Sequence, residues 1–243
     1  KHKAPAPPFT TSTLQQEAVR KLGFQSSRVM KVAQELYEGV NVGAENGGSQ
    51  GLITYMRTDS QRIAEGAETA ARQLIKEKYG EKFCPDKPRR YKSKNGAQDA
   101  HEAIRPVTPS LDPARIKSHL TSDQYKLYKL IWDRFIASQM ESATLATQSA
   151  DFVSGCHLFR ASGYTVTFPG YLTVYSDFEE QTDNGDENVK LPSLEAGEKL
   201  PCRNVTPSRH FTEAPPRYTE GSLVKFLEDN GIGRPSTFST IVT

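Results

Sequence analysis

Apolar side chains recur every three or four residues over most of the first half of the chain, the spacing typical of amphipathic helices. This periodicity predicts helices at about 12–23, 27–38 and 58–79, and another beginning near 121. All but the second begin with Ser or Thr followed three residues later by Gln, a capping-box spacing that satisfies free backbone N–H groups. The capping pairs are Ser12 with Gln15 or Thr13 with Gln16, Thr58 with Gln61, and Thr121 with Gln124.

Alternating apolar and polar residues replace this pattern from about residue 144. Residues 144–175 are rich in Thr, Val, Phe and Tyr, which predicts strands with a turn at Ser162-Gly163 and a break at Pro169-Gly170. A short buried strand is expected at 52–56 and another strand at 199–205. The second half of the chain therefore begins with a β region.

The remaining segments complete the predicted order of elements. The Gly- and Asn-rich stretch 41–50 is expected to be a mobile loop. A helix is predicted at 219–229, and after two glycines Pro235 suits the first turn of a further helix that runs to the end of the sequence. Because a sequence that ends inside a helix does not end at a domain boundary, we expect a piece of a longer protein. The predicted fold class is mainly α with a smaller β region (α+β).

Composition excludes several protein classes. The chain has 243 residues, of which 36% are hydrophobic and 25% charged, a globular rather than disordered balance. Its apolar runs are only a few residues long, so no membrane span is expected, and no secretion leader is visible. The three cysteines are widely spaced and form no CxxC pair, which argues against a zinc ribbon or a disulfide framework and favours a reducing compartment.

Charge is unevenly distributed along the chain. The net charge is +2, but residues 176–200 are strongly acidic and residues 82–94 strongly basic. A basic body is compatible with a polyanionic partner, although a run of charges is more often simply a solvated surface.

The most informative segment for chemistry is Ile53-Thr54-Tyr55-Met56-Arg57-Thr58-Asp59-Ser60. In a strand, Tyr55 and Arg57 project from the same face, and the predicted helix start at Thr58 adds free N–H groups that favour an anion. A nucleophilic tyrosine needs a nearby positive charge to stabilise its phenolate, and Arg57 supplies one. The spacing equally fits a structural role, in which Tyr55 ends a core strand and Arg57 pairs with Asp59.

Two further groups of residues suit a phosphate. A short helix is predicted at 99–105, stopped by Pro106, with Asp99, Glu102 and Arg105 on one side and His101 on another. A lone histidine in such a place is more often structural. The stretch Gly231-Ile232-Gly233-Arg234-Pro235-Ser236-Thr237 is a plausible phosphate clamp, although it lacks the ending of a Walker motif and fits an ordinary helical corner as well.

Four motifs together resemble the type IA DNA topoisomerases. They stand in that family's order and cover nearly the whole chain, and Met56 is similar to the bacterial topoisomerase I branch, since the topoisomerase III branch usually has proline there. The motifs are Pro7-Pro8-Phe9-Thr10-Thr11-Ser12-Thr13-Leu14-Gln15, Ile53 to Ser60, Ala100-His101-Glu102-Ala103-Ile104-Arg105-Pro106, and Pro216-Arg217-Tyr218-Thr219-Glu220 with Gly231 to Thr237.

The resemblance implies an isomerase that cleaves and religates one DNA strand through a 5′-phosphotyrosine, without ATP, and so relaxes negatively supercoiled DNA. By that correspondence Tyr55 is the nucleophile, Arg57 steadies the phenolate and the scissile phosphate, and His101 bonds the phosphate region. Asp59 orients Arg57 or its neighbours. Arg234, Ser236 and Thr237 contact the backbone of the bound single strand.

The resemblance also implies an organisation into domains of a toroidal enzyme. Residues 1–10 form an extended lead-in, 11–145 a winged-helix-like tyrosine domain, 146–212 part of a β arch that acts as a gate, and 213–243 the start of a further DNA-binding helical domain. The family's Toprim domain, which carries the Mg²⁺ ligands, is absent from this sequence, so no metal ligand is assigned here and the piece alone is expected to be inactive. The loop 41–50 is longer than the resemblance leads us to expect.

Two other functions remain open at this point. The same cations suit a non-catalytic nucleic-acid-binding module, and the chain also fits the topoisomerase-like half of a larger fusion such as reverse gyrase. A bacterial enzyme of this family is expected in the cytoplasm, associated with the nucleoid, with single-stranded and supercoiled DNA and the missing Toprim domain as its partners.

Overall fold

The computed structural model describes residues 1–91, 101–176 and 191–242. The α-helices in these ranges are α1 (Thr11–Leu22), α2 (Ser26–Glu38), α3 (Glu65–Tyr79), α4 (Ser122–Gln139), α5 (Glu220–Asp229) and α6 (Phe238–Val242). The strands are β1 (His2–Lys3), β2 (Val40–Asn41), β3 (Ser49–Gln50), β4 (Ala143–Ser154) and β5 (His157–Phe168). The prediction of a mainly helical α+β chain is confirmed.

The starts of α1 and α4 follow from local capping. Thr121 caps α4 in a box with Gln124, as predicted. In α1 the box is formed by Thr10 and Thr13, so both pairs suggested for this helix were wrong by two or three residues. Gly23 closes α1 in the left-handed conformation at φ 64°, which a glycine adopts without steric cost.

Helix α3 begins seven residues later than predicted. Its N-cap is Ala64, without a side-chain capping bond, and the predicted box of Thr58 with Gln61 does not form. The reason is tertiary: the backbone N–H of Thr58 donates to the Thr11 hydroxyl at 2.8 Å, and the Thr58 carbonyl accepts from the Thr11 N–H at 2.9 Å. Residues 58–64 belong to no helix or strand.

Helices α2 and α4 pack against each other in the main core. Their fully buried side chains include Leu36 and Phe135. Two large side chains of α4 satisfy their polar atoms on the loop before the helix: the Tyr128 hydroxyl donates to the Leu111 carbonyl, and the Trp132 indole N–H donates to the Pro109 carbonyl, both at 2.8 Å. Such bonds allow the core to bury aromatic rings without orphaned donors.

The proline-rich lead-in is held to this core by Arg134 of α4. Its Nε donates to the Pro7 carbonyl at 2.7 Å, and its guanidinium lies over the rings of Phe9 and Tyr175. Because Phe9 is fully buried, the lead-in enters the domain as part of its core.

Strands β4 and β5 form a long antiparallel hairpin, and β1 adds at the other edge of β4. The register pairs Ser154 with His157, so the turn lies at Gly155 and Cys156; the turn predicted at Ser162-Gly163 was wrong, since these residues continue β5. Most residues beyond the base of the hairpin are exposed on both faces. The break at Pro169-Gly170 is confirmed by the end of β5 and the following 3₁₀ turn.

The segment 41–50 is a small hairpin rather than an unstructured loop. Strands β2 and β3 pair across the 3₁₀ turn Ala44–Asn46. Glu45 anchors this turn to the body, with its carboxylate 3.2 Å from His119 Nε2 and its carbonyl accepting from Arg115 at 3.4 Å. The hairpin, rather than a mobile connection, joins α2 to the tyrosine segment, as we call residues 52–60 below.

Helix α5 packs on α1 and is capped by Thr219. Its two ends are bonded to the helical body: Glu228 accepts from the Ser12 hydroxyl at 2.7 Å, and Glu220 accepts from the Ser26 N–H at the start of α2 at 2.6 Å. The strand predicted at 199–205 was wrong, because these residues are exposed and have no regular secondary structure. The acidic residues 177–190 lie outside the described ranges.

Candidate active site around Tyr55

The tyrosine segment alternates between exposed and buried side chains. Tyr55 is 40% exposed and Arg57 is also exposed, whereas Met56 and Thr58 are each 1% exposed. Exposed and buried side chains thus alternate over residues 55–58, so the phenol and the guanidinium both reach solvent. That the two side chains act on one phosphate stays a prediction.

The ring of Tyr55 contacts two other rings. Tyr37, from the last turn of α2, meets it edge to face with ring centroids 5.4 Å apart and planes at 67°. In the second contact, the plane of the His101 imidazole is tilted by 59° from the plane of the Tyr55 ring, and the two centroids are 6.2 Å apart. The structure thus brings together two of the three predicted catalytic residues and adds Tyr37, which the sequence did not indicate.

The segment that carries His101 is extended, and the short helix predicted at 99–105 is wrong for its described part. Ile104 forms an antiparallel bridge with Phe9, and Pro106 forms one with Ile53. Pairing to two different neighbours uses the backbone groups that a helix would need. Asp99 lies outside the described residues, so its predicted place beside Glu102 stays a prediction.

Glu102 and Arg105 nevertheless form an ion pair. The Arg105 guanidinium donates to Glu102 Oε2 from Nε at 3.0 Å and from Nη2 at 2.5 Å, and its Nη1 donates to the Pro106 carbonyl at 3.0 Å. Since Arg105 is 9% exposed and fully engaged, it is a structural cation that stiffens the segment next to His101.

Leu52–Met56 is not a regular strand. Beside the Ile53 bridge, the Thr54 N–H donates to the Arg105 carbonyl and the Val107 N–H donates to the Leu52 carbonyl, both at 2.9 Å. Pro106 has no N–H to donate to this pairing. The Arg105 N–H donates instead to the hydroxyl of Thr54, at 3.0 Å. The backbone pairing between residues 52–54 and 105–107 therefore stops just before Tyr55.

No ion pair joins Arg57 to Asp59 within the described residues, so the structural alternative in which these two pair is wrong. The predicted helix start at Thr58 and Ser60 is also absent. Their hydroxyls instead accept from backbone N–H groups two residues further on, Thr58 from Ser60 and Ser60 from Arg62, at 3.0 and 3.1 Å. Among the described residues the exposed Arg57 side chain has no ion-pair partner.

The turn between α5 and α6 carries the other predicted phosphate contacts. Arg234, Ser236 and Thr237 are all exposed, and the Thr237 hydroxyl accepts from the Arg234 N–H at 2.9 Å. Across the described ranges, no hydrogen bond or ion pair joins this turn to Tyr55, Arg57 or His101. The structure therefore shows no direct bond between these two groups of predicted site residues.

The described residues contain neither a metal-binding cluster nor a membrane-spanning helix. No three His, Cys, Asp or Glu side chains there lie close enough to hold a metal ion. Likewise, none of the helices described is both long and apolar enough to cross a bilayer.

Sequence reasoning missed three residues around Tyr55. Tyr37 stands at the end of a helix predicted from periodicity, with nothing in its spacing to indicate a partner in the tyrosine segment. Thr11 carries no individual prediction and Thr54 only that of a strand residue, yet both bond backbone groups near Tyr55 through their hydroxyls. The available signal was the threonines themselves, which stand both in the Pro7 to Gln15 motif and next to Tyr55.

Comparison with known proteins gives consistent matches over the whole chain. A family model described as DNA topoisomerase matches residues 1–243. DNA topoisomerase 1 of Xylella fastidiosa is 49% identical over 243 residues, which is 98% of this chain and 29% of that protein. The full-length topoisomerase I of Thermotoga maritima in a monoclinic crystal form is 40% identical, with a TM-score of 0.80, and the match covers 99% of this chain and 37% of that one. The chain therefore spans about a third of the length of these relatives.

Proposed function

The chain belongs to the DNA topoisomerase family, and on that premise we propose that it is the tyrosine-bearing segment of a type IA enzyme that relaxes negatively supercoiled DNA. The observation that carries the proposal is the exposed side chain of Tyr55, in contact with the rings of Tyr37 and His101 and followed two residues later by the exposed Arg57.

Tyr55 is the nucleophile in this proposal. Its phenolic oxygen attacks the phosphorus of a single-stranded DNA backbone and loses its proton, the bond from phosphorus to the 3′ oxygen breaks, and that oxygen leaves as a hydroxyl. The resulting 5′-phosphotyrosine conserves the energy of the phosphodiester, so the reverse attack religates the strand without ATP. Arg57 stabilises the phenolate and the negative charge on the transferring phosphate, and His101 bonds the phosphate region.

The DNA strand is held by groups further from the phenol. Arg234, Ser236 and Thr237 contact the strand's phosphates from the turn between α5 and α6, and their exposure supports this role. Asp59 is a half-buried residue of the tyrosine segment itself and orients its neighbours. In this scheme residues 11–145 are the tyrosine domain, 146–212 part of the gate and 213–243 the start of a DNA-binding domain.

The described residues do not fit a Mg²⁺ site, since they contain no cluster of suitable side chains. In this proposal the Mg²⁺ belongs to the Toprim domain that the family resemblance implies, and no step above depends on an ion bound here. A DNA-relaxing enzyme of bacterial type works on the chromosome, which places it in the cytoplasm at the nucleoid.

A covalent-trapping experiment tests the proposal. The chain is mixed with a labelled single-stranded oligonucleotide, Mg²⁺ and a separately made Toprim-bearing fragment, and the mixture is denatured and examined for a protein–DNA adduct. We expect an adduct that requires both protein pieces and disappears in Tyr55→Phe.

Tyr125→Phe is the matched control, because it removes a phenol from α4, where the ring is covered by Lys117 and not by the tyrosine segment. It should leave the adduct unchanged. If the unsubstituted chain binds the oligonucleotide and no adduct forms with any partner fragment, the chain is instead a non-catalytic nucleic-acid-binding module.

A further inference from the structure

The hydroxyl of Thr54 joins the tyrosine segment to the segment that carries His101. It donates to the Ala103 carbonyl at 2.7 Å and accepts from the Arg105 N–H at 3.0 Å. These two backbone groups lie on either side of Ile104, and Thr54 directly precedes Tyr55. One side chain therefore fixes the separation of two backbones just where the Tyr55 and His101 rings approach each other.

The hydroxyl of Thr11 makes the equivalent connection on the other side of Tyr55. It donates to the Met56 carbonyl at 2.7 Å and accepts from the Thr58 N–H at 2.8 Å, so its contacts bracket Arg57. Thr11 is fully buried in the first turn of α1. The backbone on both sides of the exposed guanidinium is thus bonded to the start of a helix.

We propose that Thr11 and Thr54 are positioning residues that hold Tyr55 and Arg57 in register with His101. This inference rests on the proposed transesterification, for which Tyr55 and Arg57 must reach one phosphate together. Neither threonine touches the substrate; each acts through the backbone that it bonds.

The arrangement explains how an exposed reactive segment is kept rigid without a regular sheet. A ladder would bond every second backbone group of residues 54–58 to one neighbouring strand. Here the two hydroxyls bond this stretch to two different elements, the segment 103–105 and helix α1, while leaving both reactive side chains in solvent. A positioning error near 1 Å costs a reaction of this kind about 100-fold in rate.

The test replaces each hydroxyl by a methyl group of similar shape and then restores it. Thr11→Val and Thr54→Val remove the bonds, and Thr11→Ser and Thr54→Ser keep them. Amide hydrogen exchange on the chain alone reports the contact directly: in Thr11→Val the Thr58 N–H should exchange about tenfold faster, and in Thr54→Val the Arg105 N–H should do so. The serine variants should exchange as the unsubstituted chain does.

The same variants are then measured for single-turnover adduct formation with the Toprim-bearing fragment. We expect the valine variants to be slower by about 10- to 100-fold, with rescue by serine. Thr11→Val combined with Arg57→Ala should be little slower than Arg57→Ala by itself, because a misplaced guanidinium and a missing one lose the same interaction.

Thr10→Ala is the control for a merely structural effect. Thr10 caps α1 through the Thr13 N–H and has no bond to the tyrosine segment, so its loss should lower the melting temperature and leave adduct formation unchanged. Adduct formation that falls in Thr10→Ala as much as in Thr11→Val, or valine variants with unchanged rate, would overturn the positioning role. Absence of any adduct from the unsubstituted chain contradicts the proposed function instead, and the exchange data remain a separate test of the hydroxyl contacts.

Discussion

Tyr37 and Tyr55 meet edge to face, with 5.4 Å between their ring centroids, although one belongs to the end of a helix and the other to an extended segment. Each ring remains about two-fifths exposed, at 41% and 40%. The pair is therefore a surface contact in which one partly exposed aromatic ring restricts the other.

Replacement of Tyr37 should affect the reactivity of Tyr55 more than the stability of the chain. An edge-to-face pair contributes about 0.5–1.5 kcal/mol, so Tyr37→Ala should slow adduct formation by about 3- to 10-fold, as the Tyr55 ring samples more orientations. Tyr37→Phe keeps the ring and should react at the unsubstituted rate. Single-turnover trapping measures both, and equal rates in Tyr37→Ala and the unsubstituted chain would show that the pair has no role in reactivity.

Gly51 passes so close to α2 that no side chain fits. A Cβ there would lie 2.6 Å from the Tyr37 carbonyl oxygen, a backbone atom that cannot move aside cheaply. Gly51→Ala should destabilise the chain by about 1–3 kcal/mol and displace the end of α2 that carries Tyr37. Thermal unfolding together with the chemical shifts of the Tyr37 and Tyr55 rings checks both effects.

Gly66 is the matched control for this substitution. It lies in α3 with nothing within 4 Å of its Cβ position, so Gly66→Ala should stabilise the chain by up to about 1 kcal/mol through helix propensity. Similar melting temperatures for the two alanine variants would contradict the crowding argument.

Glu17 should make the stability of the chain depend on pH in the acidic range. Burial raises the pKa of its carboxyl, but hydrogen bonds donated by Tyr175 and Arg20 and the charges of Arg20 and Lys21 outweigh burial, and the net pKa is lowered. A lowered folded-state pKa gives stability that is present above the unfolded value, about 4.3, and is lost as pH falls through the folded value. Glu17→Gln should therefore cost about 1–2 kcal/mol at pH 7 and much less at pH 3.

Chemical denaturation at the two pH values measures this difference. Glu213→Gln serves as the control, since Glu213 is exposed in a stretch without regular structure and its replacement should change stability little at either pH. An equal cost of Glu17→Gln at pH 3 and pH 7 would show that the ionised carboxylate is not what stabilises the contact with Tyr175.

The helices were predictable wherever their signals are local. The Thr121–Gln124 box and the periodicity of α2 and α4 act within a few residues of chain, and the structure has these elements almost where expected. The start of α3 was not predictable, because the N–H of Thr58 bonds to Thr11, and this contact spans 47 positions. In a capping box the Gln61 side chain would accept this N–H, but the buried Thr11 hydroxyl accepts it instead.

The long hairpin shows the same limit on a sequence-based prediction. Alternation over residues 144–175 correctly indicated strands, but Ser162-Gly163 carried the stronger turn signal and is paired within β5. The pairing of β4 with β5 along twelve residues each decides the turn at Gly155, since a shift of register would break the backbone ladder from end to end.

By itself the sequence determined the class of the fold, the exposure of both Tyr55 and Arg57, and the family to which the chain belongs. These properties depend on residue type, short spacings and the order of motifs. The tertiary structure decided which groups surround the phenol. Tyr37, His101 and Thr11 come from other segments of the chain, and the hydroxyls of Thr11 and Thr54 bond these segments to the residues around Tyr55. Such contacts form only when distant segments pack, so no local pattern encodes them.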